Sequence, residues 1–489
     1  MQERNGLTSE VQGSPERHEE NAAGNGKTLK SADPAITAAG TAAGQLRRKL
    51  RMKTGQVINR AGTRIEGYMG SYEQIRNPAP VLPGFEAFSG AEGEKRPLLS
   101  AEQKRAYNAM PRYIPLAQTW YRYPIPGGMS GDGSEFHIYL KKGSVNRLVI
   151  FLSGGGMAWN GYTAAHPVTG AAVAGREPNY YWSNLRPFTQ LMNINIGITE
   201  VGNAANPFDG WNFAVIPYST GDFHVGDGAF LYAGDGKLSP AEDMLPRAGE
   251  GNSSYIGDKK EEKVLYFHGR RNMELSLREV KRFFPAPEKI LLAGDSAGAF
   301  AVPTAAADIA DTLYSDCRDI TLFSDSAELL CRDWTAIVRD VWQAPERFWK
   351  NLRTGNLACD WYRDLLGTHQ GRFRCLYASS THDYLLSTFY NDLNHKKYED
   401  DTAAREMYHR QLLPMLKELR EVEPGFAFFI NNWRNPLFTM GMPGTVHTAV
   451  RQPFYYQEHP LAPKGTTMAK WLGDAVDGKM YDVGMELVR

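Results

Sequence analysis

The stretch that most constrains how this chain folds is KILLAGDSAG, residues 289–298. It begins as an apolar run of strand length, turns through GDSAG, and leads into an alanine-rich segment of helical composition. This is the G-x-S-x-G sequence in the setting it needs, a strand followed by a sharp turn and a helix. Gly294 and Gly298 lack a Cβ, so strand and helix can approach closely there. We expect Ser296 at the apex of a strained turn, over the positive end of the helix.

A chance glycine–serine turn is the alternative interpretation, because the chain contains 48 glycines. The strand before the turn and the helix after it favour a nucleophile. A serine hydroxyl is a weak nucleophile at neutral pH. It needs a base within hydrogen-bond reach, and the base needs a carboxylate to orient it. The hypothesis that Ser296 is a nucleophile therefore requires a histidine and an acid elsewhere in the chain.

Strand-like and helix-like segments alternate along the chain, which predicts a mainly parallel sheet with helices on both faces. The predicted strands are 120–123, 135–139, 147–152, 211–217, 290–293, 320–323, 374–379 and 426–430. The predicted helices are 271–284, 297–315 and 403–421, and Pro303 and Pro414 are expected to kink or split the last two. The fold class is α/β, and the order of elements predicts an α/β-hydrolase-like arrangement. Ligands of such sheets bind beyond the carboxyl ends of the strands.

Composition divides the chain into three parts. Residues 1–45 are rich in small and polar residues, contain no aromatic residue other than histidine, and predict a disordered tail. Residues 46–104 begin with a basic segment and continue with closely spaced prolines, which predicts a basic and irregular lead-in. A solvated arm is favoured for the basic segment over a targeting or anionic-surface segment. Residues 105–489 are expected to form a single catalytic domain.

Charge and hydropathy bear on partners and location. Lys+Arg and Asp+Glu both number 55, so no global attraction to nucleic acid or to a membrane surface is expected. The first residues lack the apolar segment of a secretory signal, and no run of about 18 apolar residues occurs. We expect no membrane span and a cytoplasmic location, with secretion by a non-standard route as the alternative. The oligomeric state stays open.

The cysteines do not predict a metal site. All of them lie within a 59-residue window and none is in C-x-x-C spacing: Cys317, Cys331, Cys359 and Cys375. One or two disulfides are compatible with these positions, but the missing signal favours free thiols. Neither a metal nor an organic cofactor is predicted.

The base is expected after the nucleophile, because the α/β-hydrolase order is Ser, acid, His. The histidines in that interval are His369, His382, His395, His409, His447 and His459. His447 lies in MPGTVHT, a loop that follows the last predicted strand, whereas His409 falls within a predicted helix. His369 and His395 have no strand just before them. We predict His447 as the base, with an ordinary loop histidine as the alternative.

Two acids follow predicted strands in the right interval, Asp325 and Asp383. We predict Asp383 as the orienting acid, because the strand before it is nearer to the final strand, after which His447 lies. Asp325 stays open as the acid, and a buried structural acid or a helix cap is its other interpretation.

A Gly-rich loop also follows a strand. The transition state of ester attack carries an oxyanion, which backbone N–H groups stabilise best where nothing crowds them. The sequence FLSGGGM, residues 151–157, fits the HGGG-type oxyanion loop. We predict Gly155, Gly156 and Ala297 as the oxyanion donors. A flexible turn is the alternative, and a P-loop is excluded because no Gly-Lys-Ser/Thr follows.

Several separated blocks together resemble the pectin acetylesterase/Notum family, across roughly residues 110–460. The blocks are FLSGGGM at 151–157, NPFDGWN at 206–212, VIPYSTGDFHVG at 215–226, LLAGDSAG at 291–298, THDY at 381–384 and VHT at 446–448. The chain departs from that family's pattern at Ser153, Met157, Asp295 and Ala299, and it lacks the disulfide-rich pattern of the plant and animal members. It therefore resembles a divergent branch.

The resemblance implies a serine carboxylic-ester hydrolase that removes acetyl or other acyl groups from a carbohydrate-type substrate, a small-molecule or glycan ester. Ser296 would attack the carbonyl, His447 would move the proton, and Asp383 would hold the histidine tautomer. The alternatives are a lipid or protein-acyl esterase or thioesterase, and an inactive member that binds glycans or acyl chains. Candidate substrate-binding residues are Trp159, Phe208, Asp222 and Trp433, for which ordinary core positions are the alternative.

Overall fold

The structure is a computed structural model that describes residues 118–168, 179–185, 193–233, 262–394, 402–439 and 441–489. The predicted tail, 1–45, and the predicted lead-in, 46–104, lie outside the described residues. So do residues 105–117, the first of the predicted catalytic domain.

Twelve strands are present in the described ranges. They are β1 Trp120–Met129, β2 Glu135–Lys141, β3 Arg147–Leu152, β4 Pro167–Val168, β5 Tyr181–Trp182, β6 Asn212–Ile216, β7 Gly228–Ala233, β8 Glu262–Phe267, β9 Lys289–Asp295, β10 Asp319–Asp325, β11 Arg374–Ser380 and β12 Ala427–Asn431. Eight of them form one sheet in the order β1-β2-β6-β3-β9-β10-β11-β12. From β6 to β12 every neighbouring pair is parallel, and near one edge β2 alone runs antiparallel to both of its neighbours, β1 and β6. The predicted mainly parallel sheet is confirmed.

The helices of the described residues are α1 Gly161–Ala164, α2 Gly269–Phe283, α3 Ala297–Ala307, α4 Trp334–Ala336, α5 Leu357–Thr368, α6 Tyr384–Leu393, α7 Thr402–Val422 and α8 Met468–Val476. Wider π-turns, Asp308–Leu313 and Ile337–Val341, extend α3 and α4. Neither proline ends its helix. Pro303 lies inside α3, and Pro414 lies inside α7, which continues through it, so of the expected kink or split of α7 the split does not occur.

The sheet divides the core into two parts, as the alternating side chains of β3 show. Leu148, Ile150 and Leu152 belong to one apolar cluster, whereas Val149 and Phe151 belong to a second. Successive side chains of a strand point to opposite faces, so the two clusters lie on the two faces of the sheet. The first contains buried residues of α2, α3, α5 and α7, and the second contains those of α8. Helices therefore cover both faces, as predicted, and this is why β3 is apolar throughout.

The parallel strands bring their carboxyl ends to one edge of the sheet. β3 is followed by the Gly-rich loop, β9 by Ser296, β11 by Asp383, and β12, at some distance in sequence, by His447. Because β3, β9, β10, β11 and β12 are consecutive neighbours, these segments come together although Gly154 and His447 are 293 positions apart in sequence (447 − 154). Two small sheets, β4–β5 and β7–β8, were not predicted.

Candidate active site

Ser296 occupies the strained turn that the sequence predicts. Its backbone dihedrals are φ 52° and ψ −125°, a conformation that costs a non-glycine residue about 1–3 kcal/mol. The turn is tight because β3 packs against it, and a Cβ on Gly298 would lie 2.0 Å from the carbonyl oxygen of Leu152. The Ser296 N–H donates to the carbonyl oxygen of Asp325 over 2.8 Å. Packing and this hydrogen bond hold Ser296 in a conformation that the free chain would rarely adopt.

The predicted acid and the predicted base are in direct contact. His447 Nδ1–H donates to Asp383 Oδ2 over 2.7 Å. The other oxygen of the same carboxylate caps α6, where Oδ1 accepts the N–H groups of Leu385 and Leu386, each at 2.9 Å. Asp383 is completely buried, so these bonds satisfy a carboxylate that water does not reach. The cap fixes the carboxylate, and the carboxylate fixes the histidine ring.

The hydrogen bond to Asp383 also sets the protonation of His447. With Nδ1 carrying the proton, Nε2 of the neutral ring has a free lone pair. Nε2 is buried and has no hydrogen-bond partner among the described residues. Burial tends to lower the pKa of His447, but the Asp383 carboxylate and its hydrogen bond, with Asp325 and Asp295, raise the pKa above 6.5. The ring is thus a base of more than ordinary strength, with an unpartnered nitrogen.

Asp325 has a different role from Asp383. Its Oδ2 accepts the backbone N–H groups of Ala449 and Val450, at 2.6 and 2.9 Å, and its carbonyl oxygen accepts the Ser296 N–H. It therefore ties the loop that carries His447 to the turn that carries Ser296. Burial raises its pKa to about 6 in spite of the two N–H groups. Asp325 is a buried structural acid, which was one of its two interpretations.

The Gly-rich loop leads past Ser296. The Gly154 N–H donates to Asp295 Oδ1 over 2.7 Å, whereas the N–H groups of Gly155 and Gly156 have no acceptor among the described residues. Gly156 has φ +79°, and a Cβ there would lie 1.9 Å from the carbonyl oxygen of Tyr180, so only glycine fits. Ala297 is the first residue of α3, a position whose N–H has no partner within the helix. None of the three predicted donors therefore has a backbone acceptor for its N–H among the described residues.

A cavity lies beside Ser296. Together with its open mouth it encloses about 250 Å³ of space between the atoms. Gly156, Ser296 and Ala297 lie in its wall. The rest of the wall is apolar and consists of Met157, Phe223, Phe300, Leu329, Leu385, Leu386 and Phe389. Sequence reasoning did not select these residues, because apolar side chains that line a cavity have the same sequence pattern as those of the core.

None of the four predicted substrate-binding residues lines this cavity. Trp159 is buried one layer behind it, with its ring 6.0 Å from that of Phe389. Phe208 and Trp433 belong to the core cluster on the α8 face of the sheet, where Trp433 stacks on Phe454. Both are ordinary core residues.

Asp222 is likewise structural. Its buried carboxylate accepts the Thr220 hydroxyl at 2.7 Å and the N–H groups of Gly269 and His224 at 2.8 and 3.1 Å. It holds the loop after β6 against the start of α2. Burial raises its pKa to about 6, against the lowering effect of these bonds.

Glu328 is a buried acid that the sequence did not single out. It follows β10, is 1% exposed, and neither carboxyl oxygen has a hydrogen-bond partner among the described residues. Burial raises the pKa of Glu328 well above its usual value, and the negative charge of Asp383 raises it further. Burial therefore favours the neutral, protonated form of Glu328.

Other candidate features bear on cofactors and membranes. The four cysteines are buried and unpaired. In the described part of the chain, no group of three or more His, Cys, Asp or Glu residues is arranged to hold a metal ion. No helix among the described residues combines the length and the apolar character needed to cross a membrane.

Neither a model of a known protein family nor a curated protein matches this sequence. The geometry around Ser296 is therefore the main support for a function.

Proposed function

We propose that this chain is a serine carboxylic-ester hydrolase with an α/β-hydrolase fold. The observation that carries the proposal is the 2.7 Å hydrogen bond between His447 and Asp383, which leaves a buried, unpartnered Nε2 on the ring. The loop bearing this ring is bound through Asp325 to the strained turn of Ser296. Nucleophile, acid and base follow one another along the chain in the order of that fold, as Ser296, Asp383 and His447.

Each group has a step in the proposed reaction. His447 Nε2 takes the proton of the Ser296 hydroxyl as Oγ attacks the ester carbonyl. The carbonyl oxygen becomes an oxyanion, to which Ala297 and the Gly155–Gly156 loop offer backbone N–H groups. The C–O bond then breaks, and the leaving alcohol receives the proton from His447. Water hydrolyses the acyl-serine by the same path, with His447 again taking and returning a proton, and Asp383 holds the ring in the required tautomer throughout.

The wall of the cavity favours an ester whose acyl part is apolar. The seven apolar side chains in its wall would contact an apolar acyl group bound to Ser296. Each buried CH₂ contributes about 0.8 kcal/mol, or about fourfold in the rate constant kcat/KM. We therefore infer a substrate whose acyl part is apolar, and the carbohydrate alcohol stays an implication of the family resemblance alone.

Covalent labelling tests the nucleophile. We expect a fluorophosphonate to label the folded wild-type protein at Ser296 and to leave Ser296→Ala unlabelled, because only an activated serine reacts with it. A folded wild-type protein that stays unlabelled and does not turn over p-nitrophenyl esters would support the inactive, ligand-binding alternative.

A series of p-nitrophenyl esters from acetyl to palmitoyl tests the acyl group. We expect kcat/KM to rise by about fourfold per added CH₂ until the cavity is full and then to fall. Leu386→Trp narrows the wall, and it should move the optimum to shorter chains while leaving acetyl turnover nearly unchanged. A series that is fastest on acetyl and falls with each CH₂ would contradict an apolar acyl subsite.

A further inference from the structure

Asp295 carries a charge that this part of the fold must neutralise. It is the last residue of β9, directly before Ser296, and it is 4% exposed. A buried carboxylate without a partner would be costly, and beside the place where an oxyanion forms it would oppose the reaction. Its partner comes from the loop after His447. Arg451 donates to it twice, from Nε to Oδ2 and from Nη2 to Oδ1, each over 2.8 Å.

The same guanidinium reaches the Gly-rich loop. Arg451 Nη1 donates to the Ser153 hydroxyl oxygen at 3.1 Å and to Asn193 Oδ1 at 3.0 Å. The Ser153 hydroxyl donates to the same Asn193 oxygen at 2.6 Å. The guanidinium also lies 5.0 Å from the centre of the Phe151 ring. Arg451 thus holds the residue that begins the loop, and it is itself only 9% exposed.

Asp295 closes the connection from the other side. Its Oδ1 accepts the Gly154 N–H as well as the Arg451 Nη2–H. Three segments therefore meet in one set of hydrogen bonds. They are the Ser296 turn through Asp295, the Gly-rich loop through Ser153 and Gly154, and the His447 loop through Arg451.

We propose that Arg451 and Asp295 are positioning residues, which fix the oxyanion loop and the His447 loop relative to Ser296, and that the charge of Arg451 compensates that of Asp295. This inference rests on the proposed hydrolase function. In this proposal neither Arg451 nor Asp295 contacts the substrate. Their effect is to hold the amides of Gly155 and Gly156 at the distance from Ser296 that a tetrahedral intermediate needs. A displacement of about 1 Å at such a place can cost about 100-fold in rate.

The test compares Arg451→Gln, Asp295→Asn and the double variant with wild type, on a p-nitrophenyl ester that wild type hydrolyses. We expect each single variant to lower kcat by about 10- to 100-fold with little change in KM. The affinity for an aryl trifluoromethyl ketone, which forms a tetrahedral adduct with serine, should fall in parallel with kcat/KM. The double variant should lose no more than the worse single variant, because the two residues act as a unit.

A matched control is available far from the site. Arg270 and Asp308 form an ion pair of similar length, 2.8 Å, with side chains 10% and 25% exposed. Arg270→Gln with Asp308→Asn should lower the melting temperature and leave kcat unchanged. If Arg451→Gln does not fold, Arg451→Lys replaces it in the test. Lysine keeps a positive charge opposite Asp295 but loses the hydrogen bonds to Ser153 and Asn193. We expect an intermediate loss of kcat for this variant.

The outcomes separate this inference from the proposed function. If wild type is neither labelled nor active, the hydrolase function fails and the positioning role fails with it. If wild type is active and folded Arg451 variants keep its kcat and its affinity for the ketone, only the positioning role is overturned. Losses in the single variants that add up in the double variant would show two independent structural effects and would also overturn it.

Discussion

At the scale of residues, the site depends on which groups each carboxylate accepts. Asp325 is the last residue of β10, Asp383 follows β11, and both are buried. Asp383 accepts a side-chain N–H from His447 and two N–H groups of α6, whereas Asp325 accepts only backbone and hydroxyl groups. The first arrangement orients a base, and the second anchors a loop.

Replacing the two acids should therefore have different kinetic effects. We expect Asp383→Asn to lower kcat by about 10⁴-fold, because the tautomer of His447 is no longer enforced. We expect Asp325→Asn to cost far less, because an amide oxygen can still accept from the loop. The measurement is kcat on a p-nitrophenyl ester. A larger loss in Asp325→Asn would reverse the two roles.

The pH profile of kcat/KM reports on the same pair. His447 acts only when its ring is neutral, and its pKa is raised above 6.5, so kcat/KM should rise with pH through a pKa above 6.5. The Asp383 carboxylate is a main cause of the raised pKa of His447. In Asp383→Asn the residual activity should show this pKa shifted downward, and an unshifted profile would exclude His447 as the titrating base.

At the scale of elements, the strand–turn–helix unit formed by β9, Ser296 and α3 depends on close backbone contact. Gly298 lies against the end of β3, and Gly294 lies against the start of α3, where a Cβ would come within 2.3 Å of the Gly298 carbonyl oxygen. Side chains at these positions would push α3 away from the sheet. The same contact keeps the Ala297 N–H beside Ser296.

Gly298→Ala should accordingly destabilise the protein although alanine favours helices. We expect a loss of about 1–3 kcal/mol in the free energy of unfolding, measured by denaturant titration, because the added Cβ overlaps the Leu152 carbonyl. Gly367→Ala is the matched control. Gly367 lies in α5, is exposed, and a Cβ there meets nothing within 4 Å. That variant should be stabilised by up to about 1 kcal/mol. Equal effects of the two changes would contradict the tight packing.

At the scale of the whole molecule, buried titratable groups make stability depend on pH. His137 lies in β2, is 6% exposed, and shares a hydrogen bond with the Tyr139 hydroxyl at 2.9 Å. Burial, and then the charge of Arg122, lowers the pKa of His137 from 6.5 to about 3. Between these values the unfolded chain binds a proton at this position and the folded chain does not. This contribution to the free energy of unfolding therefore falls as the pH falls.

His137→Gln removes this dependence. The advantage of wild type over the variant should shrink by about 2–3 kcal/mol between pH 7 and pH 4.5, because one pKa unit corresponds to about 1.4 kcal/mol. Urea titrations at several pH values measure the difference. Asp222→Asn provides a control of opposite sign. Burial raises the pKa of Asp222 from 3.8 to about 6, so the folded chain binds the extra proton, and the advantage of wild type should grow as the pH falls. If the stability advantage of wild type changed in the same direction with pH against both variants, the pKa shifts of His137 and Asp222 would be contradicted.

Local sequence was sufficient for the parts of the fold that have short-range causes. The apolar runs predict the main strands to within one to three residues at most ends, because a strand buried on both faces must be apolar throughout. The turn at Ser296 follows from its glycines. The contact between Asp383 and His447 follows from placing both beyond strands of a parallel sheet. The predicted elements did not include α5, α6, α8 or the β7–β8 pair, although the buried residues of these three helices recur at helical spacing.

The remaining features required the folded chain, because they consist of contacts between residues far apart in sequence. The local sequence does not distinguish residues of the cavity wall, such as Leu386 and Phe389, from residues of the core. Nor does it identify Phe208 and Trp433 as core residues. The local sequence also does not show that Arg451 joins Ser153 to Asp295. Arg451 is 298 residues from Ser153 and 156 residues from Asp295. Sequence periodicity reports only whether a side chain is buried. Which groups it is buried against depends on the order of strands in the sheet. That order determines the lining of the cavity, the position of the Gly-rich loop and the pairing of charged residues at the site.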